Sequence, residues 1–72
     1  SAAEGAAAIE MLNSLKGKYT ILLVEHDMNA VFSLADRISV LVYGSIVATG
    51  TVDEIRNHPE VRRAYLGDDE DA

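Results

Sequence analysis

The residue with the clearest capacity for chemistry in this sequence is His26, which stands between two carboxylates, Glu25 and Asp27. Its imidazole can donate a hydrogen bond, and its protonation responds to its surroundings near neutral pH. An unbroken apolar run, residues 21–24, precedes the histidine, and an amphipathic helix pattern opening at Met28 follows the aspartate. Ligands of open α/β sheets collect at the carboxyl ends of strands, and a helix N-terminus favours anions such as phosphate. His26 is therefore the candidate binding residue.

Several other chemistries lack the residues that they need. Neighbouring strand residues point to opposite faces, so Glu25, His26 and Asp27 are not expected to share a metal ion, and we predict no metal site. The chain has no cysteine and no Gly-x-Ser-x-Gly sequence, which argues against a nucleophilic hydrolase. His26 also has a plain structural interpretation, as a histidine that closes a strand and bonds to nearby backbone.

The sequence also lacks a phosphate-binding loop. Gly17-Lys18 is followed by Tyr19, where the Gly-x-x-x-x-Gly-Lys-Ser/Thr pattern requires a hydroxyl residue. The other histidine, His58, lies beside Pro59 and is interpreted as a surface or helix-cap residue. Catalysis by this segment alone is therefore not expected.

The net charge of the chain is −6, and much of its negative charge lies near the end. We predict that residues 68–72 form a disordered, solvated acidic tail. Acidic residues interleave with Arg56, Arg62 and Arg63, so no nucleic-acid partner is expected. No apolar run approaches the roughly 18 residues that cross a bilayer, and the amino-terminal stretch carries Glu4 rather than the basic region of a signal peptide.

Cap and turn residues divide the chain into helices and strands. Gly17 is expected to end a first helix, and Asp27 is expected to cap a second. Gly44-Ser45 predicts a two-residue hairpin turn of type II′, with glycine in the first position. Thr51 and Glu54 have the spacing of a capping box. The predicted elements are a helix ending at Gly17, a strand over 19–25, a helix from Asp27, a strand over 38–43, a hairpin strand over 46–49, and two short helices, the second beginning near Pro59 and ending at Gly67.

This order predicts an α/β fold. Residues 20–42 should form a right-handed parallel strand–helix–strand crossover. An apolar run such as residues 21–24 is typical of a strand buried on both faces, yet the chain supplies few strands to accompany it. We therefore expect a sheet that is incomplete on its own, a natural protein that extends further upstream, and an exposed apolar sheet surface through which the isolated chain would self-associate.

Several stretches resemble one protein family. Residues 20–28, TILLVEHDM, are similar to the switch-histidine segment of ATP-binding cassette (ABC) transporter ATPases. Residues 35–41, ADRISVL, resemble the strand that follows it there, and residues 43–51, YGSIVATGT, resemble the closing hairpin of that family. Residues 53–67 resemble the carboxyl tail of the branched-chain amino acid importer type. Residues 1–18 resemble the helix between the D-loop and the histidine strand, so the resemblance covers nearly the whole chain.

This resemblance implies that residues 1–67 are the carboxyl-terminal part of a nucleotide-binding domain with a P-loop NTPase-type sheet. His26 would contact the γ-phosphate of ATP, held with Mg²⁺ between two ATPase subunits, and would stabilise transition-state charge. Glu25 does not match the family's catalytic glutamate, which follows the Walker B aspartate. The Walker A, signature and Walker B motifs are expected upstream of Ser1. The chain alone is then expected to bind no cofactor and to hydrolyse no ATP.

The resemblance also implies partners and a location. The full-length subunit would power import of branched-chain amino acids from the cytoplasmic side, as a peripheral protein on the inner face of the cell membrane. Its expected partners are the upstream part of the same domain, a second ATPase subunit and the membrane subunits of the transporter. Two alternatives remain open: an ATPase of a related ABC system for urea or lipopolysaccharide, and a free-standing interaction module that works without nucleotide.

Overall fold

The computed structural model describes residues 2–67, which fall into two compact units. The first unit ends at Leu34, and the second begins at Ala35. The predicted acidic tail, residues 68–72, lies outside the described residues. The elements are α1 Ala2–Leu15, α2 Met28–Leu34, β1 Ile38–Val42, β2 Ser45–Gly50, α3 Val52–Arg56, α4 Pro59–Val61 and a π-helical turn, Arg62–Leu66.

Helix α1 is rich in alanine, which favours a helix because ordering it costs no side-chain entropy. The helix ends where the sequence predicts. Gly17 takes a left-handed conformation with φ of 86°, and the amides of Lys18 and Tyr19 both donate to the Leu15 carbonyl at 3.1 Å. These bonds satisfy a carbonyl that the end of the helix leaves without a partner. The helix stop predicted at Gly17 is confirmed.

The strand predicted over residues 19–25 is wrong for this chain, because residues 20–25 belong to neither a strand nor a helix. A strand is stable only beside a hydrogen-bonded neighbour. The first unit, as far as it is described, contains no strand that could be that neighbour. The side chains of Leu22 and Val24 are consequently 91% and 89% exposed. The parallel crossover predicted over residues 20–42 is therefore not formed.

Strands β1 and β2 form an antiparallel hairpin, as predicted, but its turn differs from the prediction. Val42 pairs with Ser45, so the two-residue loop is Tyr43-Gly44 rather than Gly44-Ser45. Tyr43 and Gly44 both have positive φ, 51° and 79°. Two positive φ angles are typical of a type I′ turn, whereas type II′ has only one. The predicted turn was wrong because a tyrosine takes the left-handed position that sequence patterns assign to glycine, asparagine or aspartate.

The core of the second unit lies on one face of this hairpin. Ile38 and Val40, alternate residues of β1, are buried, as expected for a sheet covered on one side only. Helices α3 and α4 both contact β2. Their side chains Ile55 and Val61 are 1% and 0% exposed. Burial of these apolar groups removes them from water and so stabilises the unit.

Helices α3 and α4 begin at the caps that the sequence predicts. The Glu54 amide donates to the Thr51 hydroxyl at 3.3 Å, and the Thr51 amide donates to the Glu54 carboxylate at 2.8 Å. This capping box is confirmed. Gly50 lies against the same carboxylate, where a Cβ would stand 2.5 Å from Glu54 Oε1. His58 caps α4, because its Nδ1 accepts the Glu60 amide at 3.2 Å.

The π-helical turn closes the described chain. The Tyr65 hydroxyl donates to the Leu41 carbonyl at 2.5 Å and so ties this turn to β1. Gly67 then ends the turn in a left-handed conformation. The fold is thus a small mixed α/β structure with one two-stranded antiparallel sheet over the described residues. None of the helices in residues 2–67 has both the length and the apolar character that crossing a bilayer requires.

Candidate functional site

His26 lies in a short turn that joins the extended residues 20–25 to α2. Asp27, the next residue, begins the helix. Its Oδ1 accepts the amides of Asn29 at 3.0 Å and Ala30 at 3.4 Å, and its carbonyl accepts the Val31 amide at 3.1 Å. These are the bonds of an N-cap, so the role predicted for Asp27 is confirmed.

Glu25, the residue before the histidine, binds the backbone of the same turn. Its Oε1 accepts the His26 amide at 2.8 Å and the Asp27 amide at 3.2 Å. The hydrogen bond from the His26 amide, followed by that from the Asp27 amide, lowers the pKa of Glu25 below its ordinary value of 4.5. Glu25 is therefore an ionised acceptor that holds the turn.

The imidazole of His26 is presented to solvent by this turn. Its side chain is 97% exposed, and its Nε2 lies 3.8 Å from Glu25 Oε1. An imidazole so placed can donate a hydrogen bond to an anion carried by another surface. One oxygen of Glu25 and one oxygen of Asp27 accept backbone amides, and these bonds direct the two carboxylates toward the turn. The arrangement can therefore meet a phosphate group through His26 despite the acidic neighbours.

The start of α2 contributes less to anion binding than the sequence suggests. Two of its amides, those of Asn29 and Ala30, already donate to Asp27. The interaction with a phosphate therefore falls to the His26 side chain. His58, the other histidine, lies in the second unit and serves α4 as a cap.

Magnesium does not fit the residues of this turn. Mg²⁺ prefers several oxygen ligands, and here Oε1 of Glu25 and Oδ1 of Asp27 already accept backbone amides. Among residues 2–67, no group of three or more histidine, cysteine, aspartate or glutamate side chains is placed to hold a metal ion. No step of any reaction is therefore assigned to a metal held by this chain.

The hydrogen bonds that Glu25 accepts from the turn were not predicted from the sequence. The only signal available was a carboxylate placed directly before a histidine and a helix-capping aspartate. The alternation of side chains along a strand predicts only which face of the sheet Glu25 would take, and says nothing of a bond to the amides of the following turn. Glu25 is the last of the extended residues 20–25, and its carboxylate reaches the two amides of the turn that follows.

Comparison with known proteins places these residues in a family. Residues 45–71 match the family model described as "Branched-chain amino acid ATP-binding cassette transporter". The chain is 49% identical over 61 residues, 82% of its length, to the high-affinity branched-chain amino acid transport ATP-binding protein LivG of Salmonella typhimurium. The chain belongs to the ABC transporter ATP-binding proteins of the branched-chain amino acid type.

Other members of this ABC family show similar agreement. The LivG protein of Escherichia coli is 48% identical over 61 residues, again 82% of the chain. The high-affinity branched-chain amino acid transport ATP-binding protein BraF of Pseudomonas aeruginosa is 49% identical over 49 residues, 68% of the chain. The chain spans about a quarter of these LivG proteins, 24% of each, and 19% of BraF. No solved structure matches the chain.

Proposed function

We propose that this chain is the carboxyl-terminal part of the ATP-hydrolysing subunit of an ABC importer for branched-chain amino acids, in which it supplies the switch histidine, His26. The observation that carries the proposal is the 49% identity to LivG over 82% of the chain. A continuous stretch of that extent in a chain of 72 residues must include His26. The transported substrate, branched-chain amino acids, is inferred from the name of LivG. The role of His26 as a hydrogen-bond donor is inferred from its exposed imidazole.

His26 acts by electrostatic stabilisation. The turn of Glu25 and Asp27 holds the imidazole outward, where it donates a hydrogen bond to the γ-phosphate of ATP bound by the rest of the subunit. As the terminal phosphoryl group is transferred to water, negative charge spreads over its oxygens. A donor already in place stabilises this charge without reorganising during the reaction.

The remaining parts of the reaction belong to the rest of the subunit. ATP would be the substrate, and Mg²⁺ held by residues outside this chain would supply compensation of the charge on its phosphates. The 24% of LivG that this chain spans leaves room for those residues. The complete subunit would form a P-loop NTPase-type sheet, pair with a second ATPase subunit and dock on the membrane subunits at the cytoplasmic face.

The proposal is tested by replacing His26 in the full-length product of the gene. We expect His26→Ala to lower kcat for ATP hydrolysis by about 100-fold, the usual cost of losing one transition-state donor. The KM for ATP should change little, because the rest of the subunit binds the nucleotide. Steady-state phosphate release with purified transporter gives both constants.

The other histidine provides the matched control. His58→Asn keeps a helix cap on α4, since asparagine is a good N-cap residue, and should leave ATP turnover unchanged. Turnover of the His26→Ala protein at the wild-type rate would contradict the proposed role. A native gene product that held no Walker A loop would contradict the ATPase assignment and favour the interaction module.

A further inference from the structure

The carboxylate of Glu25 is bound to the turn that carries His26. One oxygen, Oε1, receives the amide of His26 at 2.8 Å and that of Asp27 at 3.2 Å. The same oxygen lies 3.8 Å from Nε2 of the imidazole. It thus contacts the backbone on both sides of the His26 Cα and approaches the far end of its side chain.

These contacts restrict the direction of the imidazole. The two amide bonds fix the peptide planes before and after His26, and these planes set the direction of its Cα–Cβ bond. Because the His26 side chain is 97% exposed, packing does little to hold it. The turn itself must therefore supply the orientation.

Glu25 is poorly suited to be a general base. The amides of His26 and Asp27 favour its ionised form and lower its pKa below 4.5. An efficient base near neutral pH needs a pKa closer to the working pH. The carboxylate also has its Oε1 engaged with both amides, so its chemistry is that of a fixed acceptor.

We infer that Glu25 is a positioning residue that orients the His26 imidazole toward its phosphate by accepting the amides of His26 and Asp27. This inference rests on the proposed function, and it assigns a role to a second residue of the same turn. Glu25 touches neither the substrate nor the attacking water; it acts through His26.

The test is a double-mutant cycle in the full-length subunit. We expect Glu25→Ala to lower kcat by about tenfold through loss of orientation, with the KM for ATP nearly unchanged. Glu25→Gln should recover most of this loss, because its amide oxygen can accept the same two N–H bonds. In a His26→Ala background, Glu25→Ala should have no further effect on residual single-turnover hydrolysis, since a positioning residue acts only through its partner.

Controls separate this role from a general loss of structure. Glu10→Ala removes an exposed glutamate of α1 and should leave kcat unchanged. The inference is overturned by unchanged kcat in Glu25→Ala, by equal losses in both backgrounds, or by a Glu25→Gln variant as slow as Glu25→Ala. If His26→Ala is slow and Glu25→Ala is not, only this inference fails. If His26→Ala itself hydrolyses ATP normally, the proposed function fails.

Discussion

Two glutamates of this chain, Glu25 and Glu54, use their carboxylates in the same way. Each accepts a backbone amide, Glu25 from the turn at His26 and Glu54 from Thr51. In both, these amide bonds lower the pKa of the carboxyl group below 4.5. A carboxylate accepts backbone N–H groups more strongly when it is ionised, so its protonation weakens the local chain geometry.

Stability should therefore fall in acid through Glu54. Its pKa is lower in the folded chain than in the unfolded chain, so its contribution is complete above pH 4.5 and is lost as the pH drops through the folded value. We expect Glu54→Gln to be less stable than wild type near neutral pH and to show a weaker loss of stability below pH 4.5. Urea unfolding at a series of pH values, followed by circular dichroism, measures both. Parallel curves for the two proteins would contradict this role.

At the level of helices and strands, the hairpin turn holds a tyrosine in an unfavourable backbone conformation. Tyr43 has a positive φ of 51° and a fully exposed side chain. Packing of its ring within the described chain therefore does not offset the backbone strain of the left-handed conformation. Asparagine tolerates this conformation, and Asn-Gly is a preferred sequence for a type I′ turn.

We expect Tyr43→Asn to stabilise the chain by about 0.5–1 kcal/mol, because it relieves this strain without loss of buried surface. The midpoint of urea unfolding should rise while its slope stays the same. Tyr19→Asn, a change at an exposed tyrosine outside the hairpin, serves as the control and should give no gain. A Tyr43→Asn protein no more stable than wild type would show that the turn carries no strain.

Local signals predicted the helices and the hairpin well. Gly17, Asp27 and the Thr51–Glu54 pair each act through residues within a few positions, and each appears as predicted. The prediction of a strand over residues 19–25 was wrong because a strand needs a hydrogen-bonded neighbouring strand, and the sequence pattern of one segment does not show whether that neighbour is present. The predicted position of the hairpin turn was wrong because Tyr43 takes a backbone conformation that tyrosine rarely adopts. His26 was selected from its flanking pattern and from family resemblance, and its role stays a prediction. The amide bonds of Glu25 had only a weak sequence signal, a carboxylate placed directly before a histidine and a capping aspartate.

At the scale of the whole molecule, the apolar residues 21–24 are expected to differ most between this chain and a complete ATPase subunit. Leu22 and Val24 are 91% and 89% exposed, yet their run is typical of a strand buried on both faces. Such exposure favours association with another apolar surface. In the subunit proposed above, parallel strands from the upstream part of the domain would cover this segment.

Hydrogen exchange tests whether upstream strands cover this segment in the complete subunit. Backbone amides of residues 20–25 should exchange rapidly in the 72-residue chain, where no strand is described beside them, and slowly in the full-length subunit, where a sheet would protect them. A peptide covering β1 is the internal control, because β2 pairs with it already and should protect it in both proteins. Mass spectrometry of peptic fragments resolves the two segments. Equally rapid exchange of residues 20–25 in both proteins would contradict the proposed sheet, since no stable strand escapes protection when its amides are paired on both sides.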